Sequence, residues 1–495
     1  MSDDLGRRRR GRRTGVRRVR RVAAMVLAAS LVATCGATIP NRRGPGWGSP
    51  GMVGGGGWPF AGVPLPPSEA AGAAYLPDSS VVRLADGRVR LIPFGSDSPI
   101  TVAASDARVA AAVRSDAAWL ARGTVPGPGA PDLVVRSTAG GSRAGVPSEY
   151  RTMAARALLD LRLLTRPNGA SLASWYGAWR YSWPRDSAFS AAAFAVTGHG
   201  PEARRVLRFL ARVQNENGMW AARYHPDGSA VADGRPAQLD SLGWVLWASW
   251  FFHTRDRAAA AELPELWPMV VRAADRLANS LDEDGLPPPS PDYWERKPAT
   301  EQDPKRPTLG VVAPALAGLR SAGALARDLG RPVEAARWQV AEHRLAEAVA
   351  RHYAPHGYPR SPIRGGRMDT SVAFLAPPFG PFDPGVNAAM LNAAQRQTLP
   401  NGGVLPGEKW SGDPKVAWTP EMASFALASA CSGNTDDAVR RLDWLAGHRT
   451  SLGVLPEKID AKGRPAGVAP LGWTAALVVL SLAAMEKPLP VPMPS

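Results

Sequence analysis

Residues 308–353 read TLGVVAPALAGLRSAGALARDLGRPVEAARWQVAEHRLAEAVARHY. Apolar residues recur at helical spacing in 308–329 and again in 332–353, which predicts two helices with one buried face each. Gly330 and Pro332 lie between them; Gly commonly follows the end of a helix, and Pro is favoured at the first turn of the next. The stretch therefore predicts a hairpin of two helices.

The same pattern continues through the chain from residue 148 to residue 486. Ten further segments share it: 148–164, 185–197, 201–216, 238–254, 264–282, 370–376, 383–398, 418–431, 435–448 and 470–486. Strand-like runs are scarce after residue 148, which argues against a parallel sheet. Twelve helices with alternating short and long connections favour an all-α fold, an (α/α)6 six-hairpin barrel. A solenoid of helix pairs is the alternative, although no motif repeats at a fixed period.

The chain around the barrel divides by composition. We assign a basic leader to 1–43, a Gly/Pro-rich linker to 44–75, a small β-containing region to 76–147, the barrel to 148–487 and a Pro-rich tail to 488–495. In the small region, two β-rich runs flank Asp86-Gly87, the pattern of a β-hairpin, and residues 103–122 follow with helical character. The linker has too few apolar residues to pack by itself.

The leader has the pattern of a targeting signal. It holds twelve Arg and two Asp, so it carries most of the formal net charge of +16. Residues 22–39 follow without any charge, and a basic region before an apolar one is typical of a signal peptide or signal anchor. A cleaved signal, a lipid anchor at Cys35 and a retained anchor all stay open. Each predicts a secreted or cell-envelope protein, with membrane association through 22–39 or through Cys35.

Several classes of function find no support. A basic tail can bind nucleic acid or acidic lipid, but this tail directly precedes an apolar segment, and we expect no nucleic-acid partner. Two cysteines exclude a disulfide framework, and the seven histidines are scattered without metal-ligand spacing. No Gly-rich phosphate loop follows a predicted strand. We therefore expect neither a metal ion nor a cofactor.

Aromatic residues and carboxylates collect in the long connections between the predicted helices. Glu295 stands in the run PDYWER at 291–296, and loss of water beside aromatic rings favours the protonated form of a carboxyl group. Glu457 has a similar setting in LPEK at 455–458. The pair Arg185-Asp186 suits vicinal sugar hydroxyls, although a helix cap and its ion-pair partner explain the pair equally well.

Four motifs resemble those of glycoside hydrolase family 15, the glucoamylase family. YSWPRDS at 181–187 resembles the substrate-site motif Trp-x-Arg-Asp-Ser, and GRPAQLD at 234–240 resembles the Gly-Arg-Pro loop. YWE at 293–295 resembles the acid motif, and VLPE at 454–457 with LGWT at 471–474 resembles the base motif and the helix after it. The motifs follow the family's order across roughly two thirds of the chain.

The resemblance implies a six-hairpin barrel in which Glu295 is the general acid and Glu457 the general base that activates water. The substrate-binding residues predicted from the motifs and their loops are Trp179, Tyr181, Trp183, Arg185, Asp186, Arg235, Asp240, Trp294, Trp418 and Trp473. Two positions depart from the fungal pattern: Asp233 replaces an aromatic residue and Arg296 replaces a second Glu. Both departures concern the leaving-group side of the site. They leave undecided which of maltooligosaccharides, isomaltose-type linkages and trehalose is preferred.

The resemblance implies a hydrolase and the leader predicts its export, and we expect a monomer. The expected reaction is inverting, exo-acting hydrolysis of α-glucosidic bonds in soluble maltooligosaccharides, isomalto-type oligosaccharides or trehalose, with release of glucose. The alternative is a cell-envelope protein that binds glycans on a catalytically inactive barrel.

Overall fold

A ring of paired helices forms the body of the protein in a computed structural model. The structure describes residues 52–53, 63–65, 70–93, 96, 98–127, 146–175, 177–255, 263–297 and 303–494. The leader, including 22–39 and Cys35, lies outside the described residues. All the described residues belong to one compact unit, Pro45–Ser495.

Two small antiparallel sheets and one helix precede the ring. The strands are β1 (Met52–Val53), β2 (Val63–Pro64), β3 (Ala74–Tyr75), β4 (Val82–Arg83), β5 (Val89–Leu91) and β6 (Ile100–Val102), and the helix is α1 (Ala107–Leu120). β1 pairs with β2, and β3 to β6 form one sheet in chain order. The predicted hairpin is confirmed, because β4 and β5 flank Gly87, whose φ of +82° suits glycine.

The predicted linker 44–75 differs from the structure at its end. Ala70 and Ala73 are buried against Leu84 and Leu452, and β3 begins at Ala74. A few small apolar residues suffice here because the sheet and the barrel supply the rest of the core.

Eleven α-helices and one 3-10 helix build the barrel within the described residues. They are α2 (Val146–Leu164), α3 (Pro184–Val196), α4 (Gly200–Val213), α5 (Asp240–Arg255), α6 (Leu263–Ala278), α7 (Leu309–Asp328), α8 (Pro332–His352), the 3-10 helix Thr370–Leu375, α9 (Pro384–Arg396), α10 (Thr419–Cys431), α11 (Thr435–Gly447) and α12 (Gly472–Glu486). Each of the twelve predicted segments is confirmed as helical, but the segment at 370–376 forms a 3-10 helix instead of an α-helix.

The inner elements close into a ring. In order around it they are α3, α5, α7, the 3-10 helix, α10 and α12, and α12 packs back on α3. The inner helices are buried on every side, whereas outer helices such as α4 and α11 bury one face. This closure confirms the six-hairpin barrel over the open solenoid. Helix α7 is apolar and long enough to cross a membrane, but it is a core helix, with 89% of its apolar window buried.

Glycines allow two inner helices to approach closely. A Cβ atom on Gly243 of α5 would lie 2.0 Å from the carbonyl oxygen of Pro314 in α7, and one on Gly318 would lie 2.5 Å from the Cα atom of Gly243. No larger side chain fits either position without moving a helix.

Every inner element begins at the same end of the barrel. The loops that lead from an outer helix to the next inner one are 165–183, 214–239, 279–308, 353–369, 397–418 and 448–471. Three short strands join the last two loops in one sheet: β7 (Ala417–Trp418), β8 (Lys458–Ile459) and β9 (Pro465–Ala466). The sequence did not predict this sheet, because strands of two residues are too short to show periodicity.

Candidate active site

Glu295 lies in the loop before α7 at a strained backbone position. Its φ is +55°, a conformation that costs a residue other than glycine on the order of 1–3 kcal/mol. Its amide donates to the carbonyl oxygen of Asp292 at 2.7 Å. Arg235 Nη1 forms a close ion pair with Glu295 Oε2, and Arg185 Nη2 lies 3.5 Å from Oε1. Both carboxylate oxygens therefore face arginines, while the side chain keeps 22% of its exposure.

A buried ion-pair network supports the turn that carries Glu295. Arg360 Nη1 lies 2.8 Å from Asp292 Oδ2 and 2.7 Å from Asp369 Oδ2, and all three side chains are almost fully buried. Asp292 also accepts hydrogen bonds from the Trp294 amide at 2.9 Å and from the Thr308 hydroxyl at 2.6 Å. The arginine plane covers the Trp294 ring, with its Cζ 3.9 Å from the ring centroid. The network fixes Asp292 and Trp294, which precede the candidate acid.

Arg185 lies beside three carboxylates, those of Glu295, Asp186 and Asp240. Its Nη1 lies 3.0 Å from Asp240 Oδ2, and its Nε lies 3.5 Å from Asp186 Oδ2. Burial raises the pKa of Asp186 to about 6 and that of Asp240 to about 7, and Arg185 opposes both shifts. The two aspartates stand in the first turns of α3 and α5, where the helix dipole favours negative charge.

Glu457 is buried where the last two loops meet. Its carbonyl oxygen accepts the Thr419 amide at 3.0 Å, which joins it to the start of α10, and its amide donates to the Val468 carbonyl at 2.8 Å. Lys458 Nζ lies 3.4 Å from Glu457 Oε2. A Cβ atom on Gly467 would lie 2.4 Å from the same oxygen, so a glycine there leaves room for the carboxylate.

A third glutamate belongs to the site. Glu421 stands in the first turn of inner helix α10, is 4% exposed, and finds no hydrogen bond for Oε2 among the described residues. Burial raises the pKa of Glu421 to about 8, and the charge of Glu457 adds to that rise. Near neutral pH it is therefore a protonated acid that can donate a hydrogen bond.

Buried aromatic rings form the inner wall. Trp473, at the start of α12, lies 5.2 Å from Arg185 Cζ and 6.3 Å from the ring of Tyr293. On the other flank, Arg223 Cζ lies 4.8 Å from the Tyr181 ring and 5.1 Å from the Trp183 ring. These contacts bring three of the six loops together with the starts of α3 and α12.

A row of three tryptophans forms the outer wall. The Trp410 ring centroid lies 5.1 Å from that of Trp294 and 5.1 Å from that of Trp418, edge to face in both cases. Trp294 precedes Glu295, and Trp418 pairs with Lys458 across β7 and β8. Lys458 Nζ lies 4.2 Å from the Trp418 ring centroid and 5.9 Å from that of Trp179. The tryptophan row thus extends from the candidate acid to the candidate base.

All twelve residues predicted for the site come together at this end of the barrel. Of the two arginines that pair with Glu295, Arg235 is the more exposed, with 40% of its side chain accessible. The sequence did not identify Arg360, Asp369, Arg223 or Glu421. Arg360 and Asp369 lie in or beside a loop without a motif, and Glu421 resembles an ordinary first-turn acid of a helix.

Several buried polar atoms of this site lack a hydrogen-bond partner among the described residues. The indole nitrogens of Trp183, Trp294 and Trp473 and the Oε2 atoms of Glu421 and Glu457 have no hydrogen-bond partner in the described part of the chain. A buried polar atom without a partner costs about 1–3 kcal/mol. Indole N–H donors beside carboxyl groups match the hydroxyl groups of a sugar, which both donate and accept. Over the same residues, no three His, Cys, Asp or Glu side chains are grouped to hold a metal ion.

Glu421→Gln is expected to change how the stability depends on pH. Between pH 4.5 and about 8 the folded protein holds the Glu421 proton more tightly than the unfolded chain does. Stability that is present below pH 4.5 is therefore lost as the pH rises towards 8, by at most about 1.4 kcal/mol per pH unit. The amide does not titrate, so the stability of Glu421→Gln relative to the wild type should increase from pH 5 to pH 8. Urea denaturation measures this difference. Parallel stability curves would contradict a buried, protonated Glu421.

Comparisons with known proteins agree with this architecture. No family model matches the sequence. An uncharacterized glycosyl hydrolase of Methanocaldococcus jannaschii is 22% identical over 361 residues, which cover 67% of this chain and 55% of that protein. The chain thus spans little more than half the length of this curated relative.

Three solved structures share the fold. A glycosidase variant in complex with glucose superposes with a TM-score of 0.60 at 21% identity, covering 70% of this chain and 99% of that one. A bacterial glucoamylase complexed with acarbose gives 0.55 at 16% identity, with 77% and 59% covered. A glucoamylase from Saccharomycopsis fibuligera gives 0.54 at 12% identity, with 69% and 94% covered. These structures confirm the predicted six-hairpin fold, and in this fold the chain resembles the glucoamylases.

Proposed function

We propose that this protein is a glycoside hydrolase that releases terminal glucose from α-glucosides with inversion. The observation that carries the proposal is that two loops bring Glu295 and Glu457 to the same end of the barrel, where a row of tryptophans extends from one to the other. Several donors and acceptors of this site have no hydrogen-bond partner in the described part of the protein. Soluble maltooligosaccharides, isomalto-type oligosaccharides and trehalose are the substrates. Similar folds in a glycosidase with glucose and a glucoamylase with acarbose support a sugar ligand.

Inversion needs two carboxyl groups in different protonation states. Glu295 gives its proton to the glycosidic oxygen as the bond from that oxygen to the anomeric carbon breaks. Glu457 takes a proton from the water whose oxygen bonds to the opposite face of the same carbon. The products are β-glucose and the leaving group with a free hydroxyl, so atoms and charge balance over the step.

Arg235 has to move for this reaction. It pairs with Glu295 Oε2 and also lies 3.3 Å from Asp233. Since the glycosidic oxygen needs access to the same carboxyl group, the substrate takes the place of the guanidinium at Glu295. Asp233 and the 40% exposure of the Arg235 side chain give the guanidinium a second partner and room to turn.

The same contact favours the second candidate function. If Arg235 and Arg185 keep Glu295 occupied, the barrel binds a glycan without cleaving it. Saturable oligosaccharide binding with no release of glucose is then expected. The leader at 1–43 supports export to the cell envelope or beyond in either case, and we propose a monomer.

The hydrolase proposal predicts β-glucose as the first product. Incubation with maltotriose, with proton NMR recorded within the mutarotation time, is expected to show β-glucose before α-glucose. Trehalose should give the two anomers in equal amounts, because its leaving group is itself α-glucose. Isomaltose tests the release of glucose only, since its reducing-end glucose is already a mixture of anomers. Initial α-glucose from maltotriose would contradict inversion. Failure to release a monosaccharide from a broad α-glucoside panel would reject the hydrolase and leave the glycan-binding protein.

A further inference from the structure

Arg296 is the one cation of the site for which the described residues provide no anionic partner. It directly follows Glu295, is half-buried, and its Nε makes no hydrogen bond within that part of the chain. The other guanidinium groups of the site, on Arg185, Arg223, Arg235 and Arg360, each pair with a carboxylate. Arg296 lies instead on the Trp410 ring, with its Cζ 4.6 Å from the ring centroid.

A second cation occupies the equivalent place beside the base. Lys458 directly follows Glu457, and its Nζ lies 4.2 Å from the centroid of the Trp418 ring. Trp410 and Trp418 contact each other edge to face. Each candidate catalytic carboxylate is thus followed in sequence by a cation that sits on one ring of the tryptophan row.

Burial separates this cationic edge from the inner end of the site. Arg185, Asp186 and Trp473 are 4%, 7% and 6% exposed, whereas Arg296, Trp410, Trp418 and Lys458 are all half-buried. An exo-acting site holds the terminal sugar at its closed end, so the leaving group extends towards the open edge. The two cations therefore stand on the side of the leaving group.

A purely structural role accounts for only part of this arrangement. A cation on an indole ring is stabilised by the ring quadrupole, and that alone would suffice for an exposed arginine. Arg296 is partly desolvated, however, and a desolvated guanidinium is unfavourable unless an anion pairs with it. Trp410 covers a face of the guanidinium, whereas the edges carry the donors that fit a carboxylate.

We propose that this edge binds a carboxylate carried by the leaving group, so that the preferred substrates are α-glucosides of sugar acids. The inference rests on the proposed hydrolase function and specifies its substrate class. Without Arg296, the carboxylate of such a substrate would approach Glu295 and Glu457 and be repelled by them. Arg296 neutralises it through charge-assisted hydrogen bonds, and Lys458 adds a second positive charge nearby.

Maltitol and maltobionate provide a matched pair of probes. Both carry glucose α-1,4-linked to an open six-carbon chain, and they differ by a primary alcohol in one and a carboxylate in the other. The wild-type protein is expected to show a kcat/KM for maltobionate about tenfold or more above that for maltitol. The preference should fall as the salt concentration rises, because the charges lie near the surface.

Arg296→Gln should bring the ratio of the two kcat/KM values close to one, mainly through the KM for maltobionate. Arg331→Gln is the matched control, because Arg331 also lies over a tryptophan, Trp267, at 5.9 Å but on an exposed outer position. The control should keep the wild-type ratio. A ratio near one in the wild type, or an unchanged ratio in Arg296→Gln, overturns the proposal.

Calorimetric titration separates this proposal from the hydrolase proposal. If the protein hydrolyses no α-glucoside of the broad panel, the hydrolase proposal fails, but tighter binding of maltobionate than of maltitol still supports the anion site. Equal affinities for the two compounds reject the anion site whether or not the protein is an enzyme.

Discussion

Glu295→Gln is expected to lower the kcat for maltose hydrolysis by about 10²–10⁴-fold, the usual contribution of a positioned general acid. Glutamine keeps the shape of the side chain and can still face Arg235 and Arg185, but it has no proton to give to the glycosidic oxygen. The affinity for maltose should change little, because the proposed sugar-binding residues Asp186, Trp473 and Trp183 are left in place. Steady-state kinetics and calorimetry on the same preparation measure both quantities.

Glu457→Gln is expected to cause a loss of similar size for a different reason. The amide cannot accept the proton of the attacking water, whatever the leaving group. Glucosyl fluoride separates the two roles, since fluoride departs with little need for protonation. Glu295→Gln should therefore hydrolyse α-glucosyl fluoride much better than it hydrolyses maltose, whereas Glu457→Gln should be impaired on both.

Glu347→Gln is the control for these two substitutions, because Glu347 is exposed on outer helix α8. It should keep wild-type kinetics on both substrates. Equal losses on maltose and on the fluoride in Glu295→Gln would remove Glu295 from the role of acid. Wild-type activity in either glutamine variant would remove that residue from the mechanism.

Helical periodicity predicted the barrel because each hairpin is local in sequence. The run at 308–353 contains both helices, the glycine that ends the first and the proline that begins the second, and the structure has α7 and α8 at Leu309–Asp328 and Pro332–His352. Only the segment Thr370–Leu375 differs in helix type, because it forms a 3-10 helix and the other predicted segments form α-helices. Its six residues are all buried, and a segment so short is shaped by its neighbours more than by its own periodicity.

The site could be predicted only where its residues stand in motifs. Glu295, Arg185 and Trp473 were found because their neighbours in sequence form a recognisable pattern. Arg360 was not found, since its partners Asp292 and Asp369 lie 68 and 9 positions away and no local pattern marks an arginine that joins two loops. Glu421 was missed for a related reason, because only the closed ring brings α10 against the loop that carries Glu457.

Arg360→Leu is expected to destabilise the protein by about 3–5 kcal/mol, the usual cost of removing one partner from a buried ion pair. Asp292 and Asp369 are each 1% exposed and would be left as two buried carboxylates near each other. Burial already raises the pKa of Asp369, and Arg360 opposes that rise. Without the arginine, protonation becomes the main way to relieve the charge, so the destabilisation should shrink as the pH falls. Urea denaturation at pH 5 and pH 8 measures both effects.

A second substitution distinguishes lost charge balance from lost packing. Adding Asp369→Asn to Arg360→Leu removes one of the two unbalanced charges, and should restore part of the stability if electrostatics dominate. If packing against the Trp294 ring dominates instead, the double variant should be no more stable than Arg360→Leu and the pH dependence should be absent. Arg364 is an exposed arginine in the same loop, and Arg364→Gln should stay within about 0.5 kcal/mol of the wild type.

Loss of Arg360 should also lower kcat in the molecules that remain folded, because Asp292 holds the Trp294 amide and the Glu295 turn. The stability of this network is thereby tied to the position of the candidate acid.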